Sequence, residues 1–176
     1  MKIIFLCVDG VLNDETTKHT CLTPDGFMGI DDRMLYRLSR IVWSTGARIV
    51  LIDFWKEELD DTLNPLSRDG KYLLRMFSEY GLKLYDKTDD DIADRAQAVY
   101  KWLGIHPEVT ACVVLGCDSC EFDGSAGFDR GYILQDDDRK VCAHLASTNW
   151  RAGGLTDGIA SKCIEYLNSL PVRQSE

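Results

Sequence analysis

Cys7, Asp9 and Gly10 stand together at the end of an apolar run, Ile3-Ile4-Phe5-Leu6, and are the first residues whose types could do chemistry. A thiolate at Cys7 could attack phosphorus or an acyl carbon if a cation such as Arg95, or nearby backbone amides, lowered its pKa. Such a nucleophile needs a base, and none of the three histidines can be set beside it from the sequence. His19 falls in the loop after the first strand, His106 in a Pro-bounded turn and His144 in a late polar segment. Further along, Cys117 and Cys120 have Cys-x-x-Cys spacing, which suits a soft metal such as zinc or a redox pair. One such pair is a weak signal, because structural zinc sites usually carry two. The run Asp89-Asp90-Asp91 resembles a metal-binding cluster but precedes a helical pattern, and is read as capping and dipole compensation. Asp136-Asp137-Asp138 is read as a solvated loop or an acidic docking patch.

These residues must be positioned by an alternation of strands and helices, which argues for an open, mostly parallel sheet. Lys2 to Leu6 reads as a strand covered on both faces, ended by the Asp9-Gly10 turn. Asp31 or Asp32 caps a helix with Met34, Leu35, Leu38, Ile41 and Val42 at helical spacing, closed by Thr45-Gly46. Arg48 to Ile52 is the next strand. Residues 56–85 read as mostly helical, interrupted at Pro65, with a second helix over Lys71 to Tyr80 that stops at Gly81 and a short strand at Leu82 to Tyr85. An amphipathic helix follows from Ile92 to Leu103, then a buried strand from Thr110 to Leu115 and a last short strand at Tyr132 to Leu134. A closing helix runs from Thr156, its cap, to Leu170. Trp43, Trp55 and Trp102 fall on or beside apolar faces and are assigned to the core, with Trp150 the most exposed of the four tryptophans.

A chain of 176 residues with 45% hydrophobic content is one domain of ordinary size, assigned to residues 1–170, with 171–176 as a flexible tail. A formal charge of −9 opposes a large electrostatic footprint for nucleic acid or an anionic membrane. No apolar run reaches transmembrane length and no signal-peptide pattern precedes the first strand, so a cytoplasmic protein is expected. The seven cysteines, an odd number scattered through strands and helices, do not form a secreted disulfide framework and are mostly expected as buried small hydrophobes.

The segment Phe5-Leu6-Cys7-Val8-Asp9-Gly10-Val11-Leu12 closely resembles the first motif of the haloacid-dehalogenase-like (HAD) hydrolases, a strand followed by Asp-x-Asp-Gly-[Val/Thr]-Leu. In that superfamily the first Asp forms an aspartyl-phosphate and the second shuttles protons to the leaving group and from water. Here the first is Cys7, and the second is Asp9. The second motif, a Ser or Thr that hydrogen-bonds the phosphoryl group, aligns with Ile49-Val50-Leu51-Ile52-Asp53-Phe54-Trp55-Lys56. The hydroxyl position is therefore Ile52, or Asp53 if the register slips by one. Neither replaces it well, because Ile cannot donate a hydrogen bond and a carboxylate repels phosphate. Asp94 to Leu103 resembles the third motif, with Arg95 as its cation, and His106-Pro107-Glu108-Val109 resembles the turn that follows it. The fourth motif, where relatives carry magnesium-binding acids, reads Gly116-Cys117-Asp118-Ser119. The likeness extends to Gly154-Leu155-Thr156 and is closest to the small capless members, including relatives of the HAD module in RNA-repair proteins.

The resemblance implies a three-layer Rossmann-like α/β fold, with helices on both faces of the sheet and no folded cap domain. Asp9, Cys7 and Arg95 would be its catalytic positions, Gly10 and Asp53 its phosphate-binding ones, and Asp9 with Asp118 a weak magnesium site. In this fold the ends of the first and fourth strands are neighbours, so Cys7, Cys117 and Cys120, with Asp9, Asp118 or a histidine, would make an alternative zinc site. The loop Asp14 to Ile30 sits where larger relatives insert a cap, and for anything bound at the crevice this loop, with His19, Cys21 and Phe27, would be the lid. Departures at Cys7, Ile52 and Gly116 lie at the ends of three different strands and point to a lineage released from phosphoryl transfer. Three function classes follow. The first is a non-catalytic protein binding a small phosphorylated ligand or a protein partner. The second is a weak or altered magnesium phosphohydrolase using Asp9, Arg95 and Asp118. The third is a thiol-based zinc or redox protein.

Overall fold

The first strand, β1 (Lys2–Leu6), lies at the middle of the sheet because Ile3, Ile4, Phe5 and Leu6 present apolar surface on both sides of the pleat and all four are fully buried. In a computed structural model of the chain, residues 1–17, 20–117, 131–135 and 139–169 are described. The other strands are β2 (Arg48–Leu51), β3 (Leu84–Lys87), β4 (Ala111–Cys117), β5 (Tyr132–Leu134) and β6 (Lys140–Thr148). They form one six-stranded sheet in the order β3-β2-β1-β4-β6-β5, parallel throughout except for the antiparallel β5 at the edge. Register pairs Leu6 with Leu51 on one side and with Leu115 on the other, so the chain leaving β1 emerges between the ends of β2 and β4.

Four helices cover the sheet: α1 (Asp32–Thr45), α2 (Arg68–Glu79), α3 (Arg95–Gly104) and α4 (Asp157–Asn168). Helix α1 starts at Asp31, whose carboxylate accepts the Arg33 N–H at 2.8 Å, and ends at Gly46, whose left-handed φ of 67° lets its N–H reach Val42 O at 2.8 Å. Its buried side chains Met34, Leu35, Leu38 and Ile41 follow the expected helical stripe, and the helix packs against α4. The connections β1-α1-β2 and β3-α3-β4 cross the sheet in opposite directions, so right-handed crossovers put α1 and α3 on opposite faces. Consistent with this, Trp102 of α3 meets Phe5 of β1 edge-on with ring centres 5.3 Å apart.

Several sequence expectations need correction. The stretch after β2 is not mostly helical: a short 3-10 helix (Phe54–Glu58) gives way to a turn in which Asp60 accepts hydrogen bonds from the Thr62 and Asn64 N–H groups, with Leu63 at a left-handed φ of 62°. Helix α3 begins at Arg95, not Ile92, because Asp94 supplies the cap by accepting from the Gln97 N–H at 3.0 Å. The acids Asp89 and Asp90 do not cap it; they pair with Lys101 at 2.6 Å and Lys87 at 2.7 Å. Tyr132–Leu134 is not the last strand, since the nine-residue β6 follows it and inserts between β4 and β5. Its small and polar residues conceal a strand whose Val141, Cys142, Ala143, Ala146 and Thr148 are buried. Trp43 is exposed rather than core, and Trp150 is half-buried. Of the six described cysteines, five are buried and Cys21 is partly so. No helix among the described residues is long and apolar enough to cross a membrane.

Candidate functional site

The chemistry-bearing residues gather at the carboxyl ends of β1, β2 and β4. Neighbouring strands there send their connections in opposite directions and leave a crevice. Directly after β1, Cys7 is fully buried and its N–H donates to Leu115 O at 2.9 Å, extending the strand pairing by one residue. The next two N–H groups, of Val8 and Asp9, both point at Oδ2 of Asp53, the second at 3.2 Å. Two successive N–H groups converging on one point make a concavity suited to an anion. Here a carboxyl group of the chain occupies it. Of the two residues the sequence offers for the hydroxyl position, Ile52 is buried and its N–H bonds to Leu6 O, while Asp53 leaves the strand and reaches the β1 turn.

The turn is held by polar contacts on every side. Asn13, itself buried, accepts the Gly10 N–H at 2.8 Å and donates from Nδ2 to Asp9 Oδ1 at 2.9 Å. The indole of Trp55 donates to the same Asp9 oxygen at 3.1 Å. Thr148, at the end of β6, donates its hydroxyl to Gly10 O at 2.6 Å. Gly10 has φ of 76°, and a Cβ there would lie 2.5 Å from Cβ of Cys117 and 2.8 Å from its Sγ, so only glycine fits. Cys117 is thus packed against the β1 turn, and Cys7, Asp9, Gly10, Asp53 and Cys117 all lie at or just beyond the ends of β1, β2 and β4.

Asp53 is subject to opposed influences. Burial, and then the negative charge of Asp9, push its carboxyl up to about 7, while the Val8 and Asp9 N–H groups and the Arg95 guanidinium pull it the other way. Arg95, the first residue of α3, lies 5.8 Å from the centre of the Phe54 ring, in cation–π range. Ile52, Asp53, Phe54, Lys56 and Arg95 line a cleft of about 670 Å³. Lys56 is buried and donates to Asp89 O at 2.6 Å. The two described histidines are engaged elsewhere: His106 stacks on Trp102 with ring centres 3.6 Å apart, and His144 stacks on Tyr166 at 4.0 Å.

Among the described residues, the superfamily's magnesium would find Asp9 Oδ2 as an open carboxylate oxygen. Asp9 Oδ1 already accepts two N–H groups, Asp53 Oδ2 accepts two more, and the fourth-motif acid position is Gly116. Among the described residues no group of three or more His, Cys, Asp or Glu side chains could hold a metal ion. Asp118 and Cys120, candidates for magnesium and zinc, lie outside the described residues, as does His19.

The described part of the loop from Asp14 to Ile30 is anchored to α2. Asp69 of α2 accepts from the Thr23 hydroxyl at 2.7 Å and the Asp25 N–H at 3.1 Å, and Tyr72 OH accepts the Ile30 N–H at 2.9 Å. Cys21 lies with Sγ 3.6 Å from the same hydroxyl. The anchored loop carries Phe27, 69% exposed, to the mouth of the crevice opposite Phe54, 71% exposed. Asn13, Trp55 and Thr148 were not singled out from sequence as site residues. A tryptophan near a turn carries the only recoverable signal, since a buried indole N–H seeks an acceptor.

No curated protein and no solved structure matched the chain. Residues 3–153 of the 176 match the model of the HAD domain in Swiss Army Knife RNA repair proteins. With the six-stranded sheet, the motif-bearing turn after β1 and the absence of a folded cap among the described residues, the chain belongs to this capless HAD-type family.

Proposed function

We propose that this HAD-type domain does not carry out aspartyl-phosphate chemistry and acts by binding. The observation that carries the reading is the Asp53 carboxyl seated on the Val8 and Asp9 N–H groups. The superfamily resemblance puts the phosphoryl group beside this turn, so Asp53 fills an anion position and, in its ionised form, opposes a phosphate's entry. The nucleophile position adds to this: Cys7 has no exposed surface, and an attacking thiolate must reach its substrate. Asp9 is tied to Asn13 and Trp55, which hold the turn from within the chain.

Magnesium-dependent hydrolysis of an aryl phosphate by the wild type, Cys7→Asp and Cys7→Asp/Asp53→Ser tests this. The wild type and Cys7→Asp are expected to be silent, and inorganic phosphate is expected to stabilise only proteins lacking the Asp53 carboxyl. Wild-type turnover that disappears in Asp9→Asn would overturn the reading.

A further inference from the structure

A second cleft, of about 320 Å³, opens on the other side of Phe54, with Asp9 among its lining residues. Its apolar part consists of Phe27, Phe54 and Trp55 with Met28, and its polar part of Asp9, Glu58 and Asp69. No Lys, Arg or His is among the described residues that line it. Two of the aromatic rings, Phe27 and Phe54, are 69% and 71% exposed and put apolar ring surface at this cleft. The three carboxylates are not equivalent. Both oxygens of Asp69 accept hydrogen bonds from the anchored loop. Glu58 Oε2 accepts from Ser67, and Asp9 Oδ1 accepts from Asn13 and Trp55. Among the described residues, Asp9 Oδ2 and Glu58 Oε1 accept nothing, leaving one bare acceptor on each of two acids beside three aromatic rings.

Aromatic faces and uncompensated carboxylates both attract positive charge, and the combination favours a weakly hydrated, planar cation over a small hydrated one. Phe54 already shows this preference, with the Arg95 guanidinium over its ring. We propose that this cleft binds a guanidinium-type organic cation, its charge placed between Asp9 Oδ2 and Glu58 Oε1 and its plane against the Phe27 and Phe54 rings. This deepens the non-catalytic reading, because it uses Asp9 as a charge partner rather than as a proton shuttle. The cation can be a free small molecule or an arginine side chain of a peptide; the recognising chemistry is the same.

Trp55 offers a direct readout, since its indole N–H bonds to Asp9. In nitrogen-edited NMR spectra of the full chain, butylguanidinium is expected to shift the Trp55 indole resonance saturably, while its neutral isostere butylurea leaves it in place and the exposed Trp43 indole stays fixed. Phe27→Ala, at an exposed position, and Glu58→Gln are each expected to weaken the response roughly three- to tenfold. An acetyl-Gly-Arg-Gly-amide peptide that binds more tightly than butylguanidinium identifies a protein side chain as the source; equal affinity identifies a small molecule. Equal responses to butylguanidinium and butylurea, or no response to either, overturn the proposal. So does a response unaffected by Phe27→Ala. Phosphatase turnover by the wild type would remove the non-catalytic reading and leave the Trp55 response standing, so the two failures are separate.

Discussion

Asp53 carries the most consequence of any single residue, because a group whose carboxyl is pushed up to about 7 is half ionised near neutrality. The folded chain then holds a proton that the unfolded chain releases above the ordinary value of 3.8. Stability from this group is therefore fully present below that value, falls as pH rises towards about 7 and then levels. Asp53→Asn keeps an acceptor for the Val8 and Asp9 N–H groups and removes the titration. Urea unfolding between about pH 4.5 and about pH 8 is expected to show wild-type stability declining relative to Asp53→Asn, by at most about 1.4 kcal/mol per pH unit. A difference that stays flat with pH would contradict the assignment. The sequence made this residue visible only as one of two choices, Ile52 or Asp53, because strand alternation does not say where the last paired residue lies. The structure pairs the Ile52 N–H with Leu6 O, a long-range contact that no local pattern encodes.

Among the elements, the loop from Asp14 to Ile30 is held by a helix distant in sequence, with Thr23, Asp25 and Ile30 fastened to Asp69 and Tyr72 of α2. Tyr72→Phe removes the acceptor of the buried Ile30 N–H and is expected to cost about 1–3 kcal/mol. Amide exchange in the segment around residues 21–30 should accelerate before the rest of the protein opens, and uniform acceleration across the sheet would argue against a local anchor. Such anchors are invisible in sequence because they join positions more than forty residues apart. By contrast, β1, the Asp31 cap, the Gly46 stop and the Thr156 cap of α4 were legible, since each rests on a local pattern of apolar spacing or side-chain-to-backbone bonding. Strand β6 was missed for the converse reason. Lys140-Val-Cys-Ala-His-Leu-Ala-Ser-Thr148 is buried by its place between two strands and not by any strong hydrophobicity of its own.

For the molecule as a whole, family membership and charge pull apart. The family is named for RNA repair proteins, while this chain has a formal charge of −9. Binding to a polyanion draws most of its free energy from releasing counterions to Lys and Arg, and a net negative chain works against that. A single-stranded oligoribonucleotide titrated at about 150 mM salt is expected to give no saturable binding. Binding that weakens steeply with added salt would reveal a basic patch that the net charge conceals. The same negative field favours positively charged visitors at the crevice, where both clefts meet at Phe54. That ring has a tenant already, the Arg95 guanidinium. A cation arriving from the Phe27 side would share one ring's electron density with it and feel its repulsion across a single aromatic thickness. A cation bound as proposed would be held shallowly, so that the crevice would follow the concentration of its visitor in the manner of a gauge, filling and emptying with supply rather than retaining what it has caught.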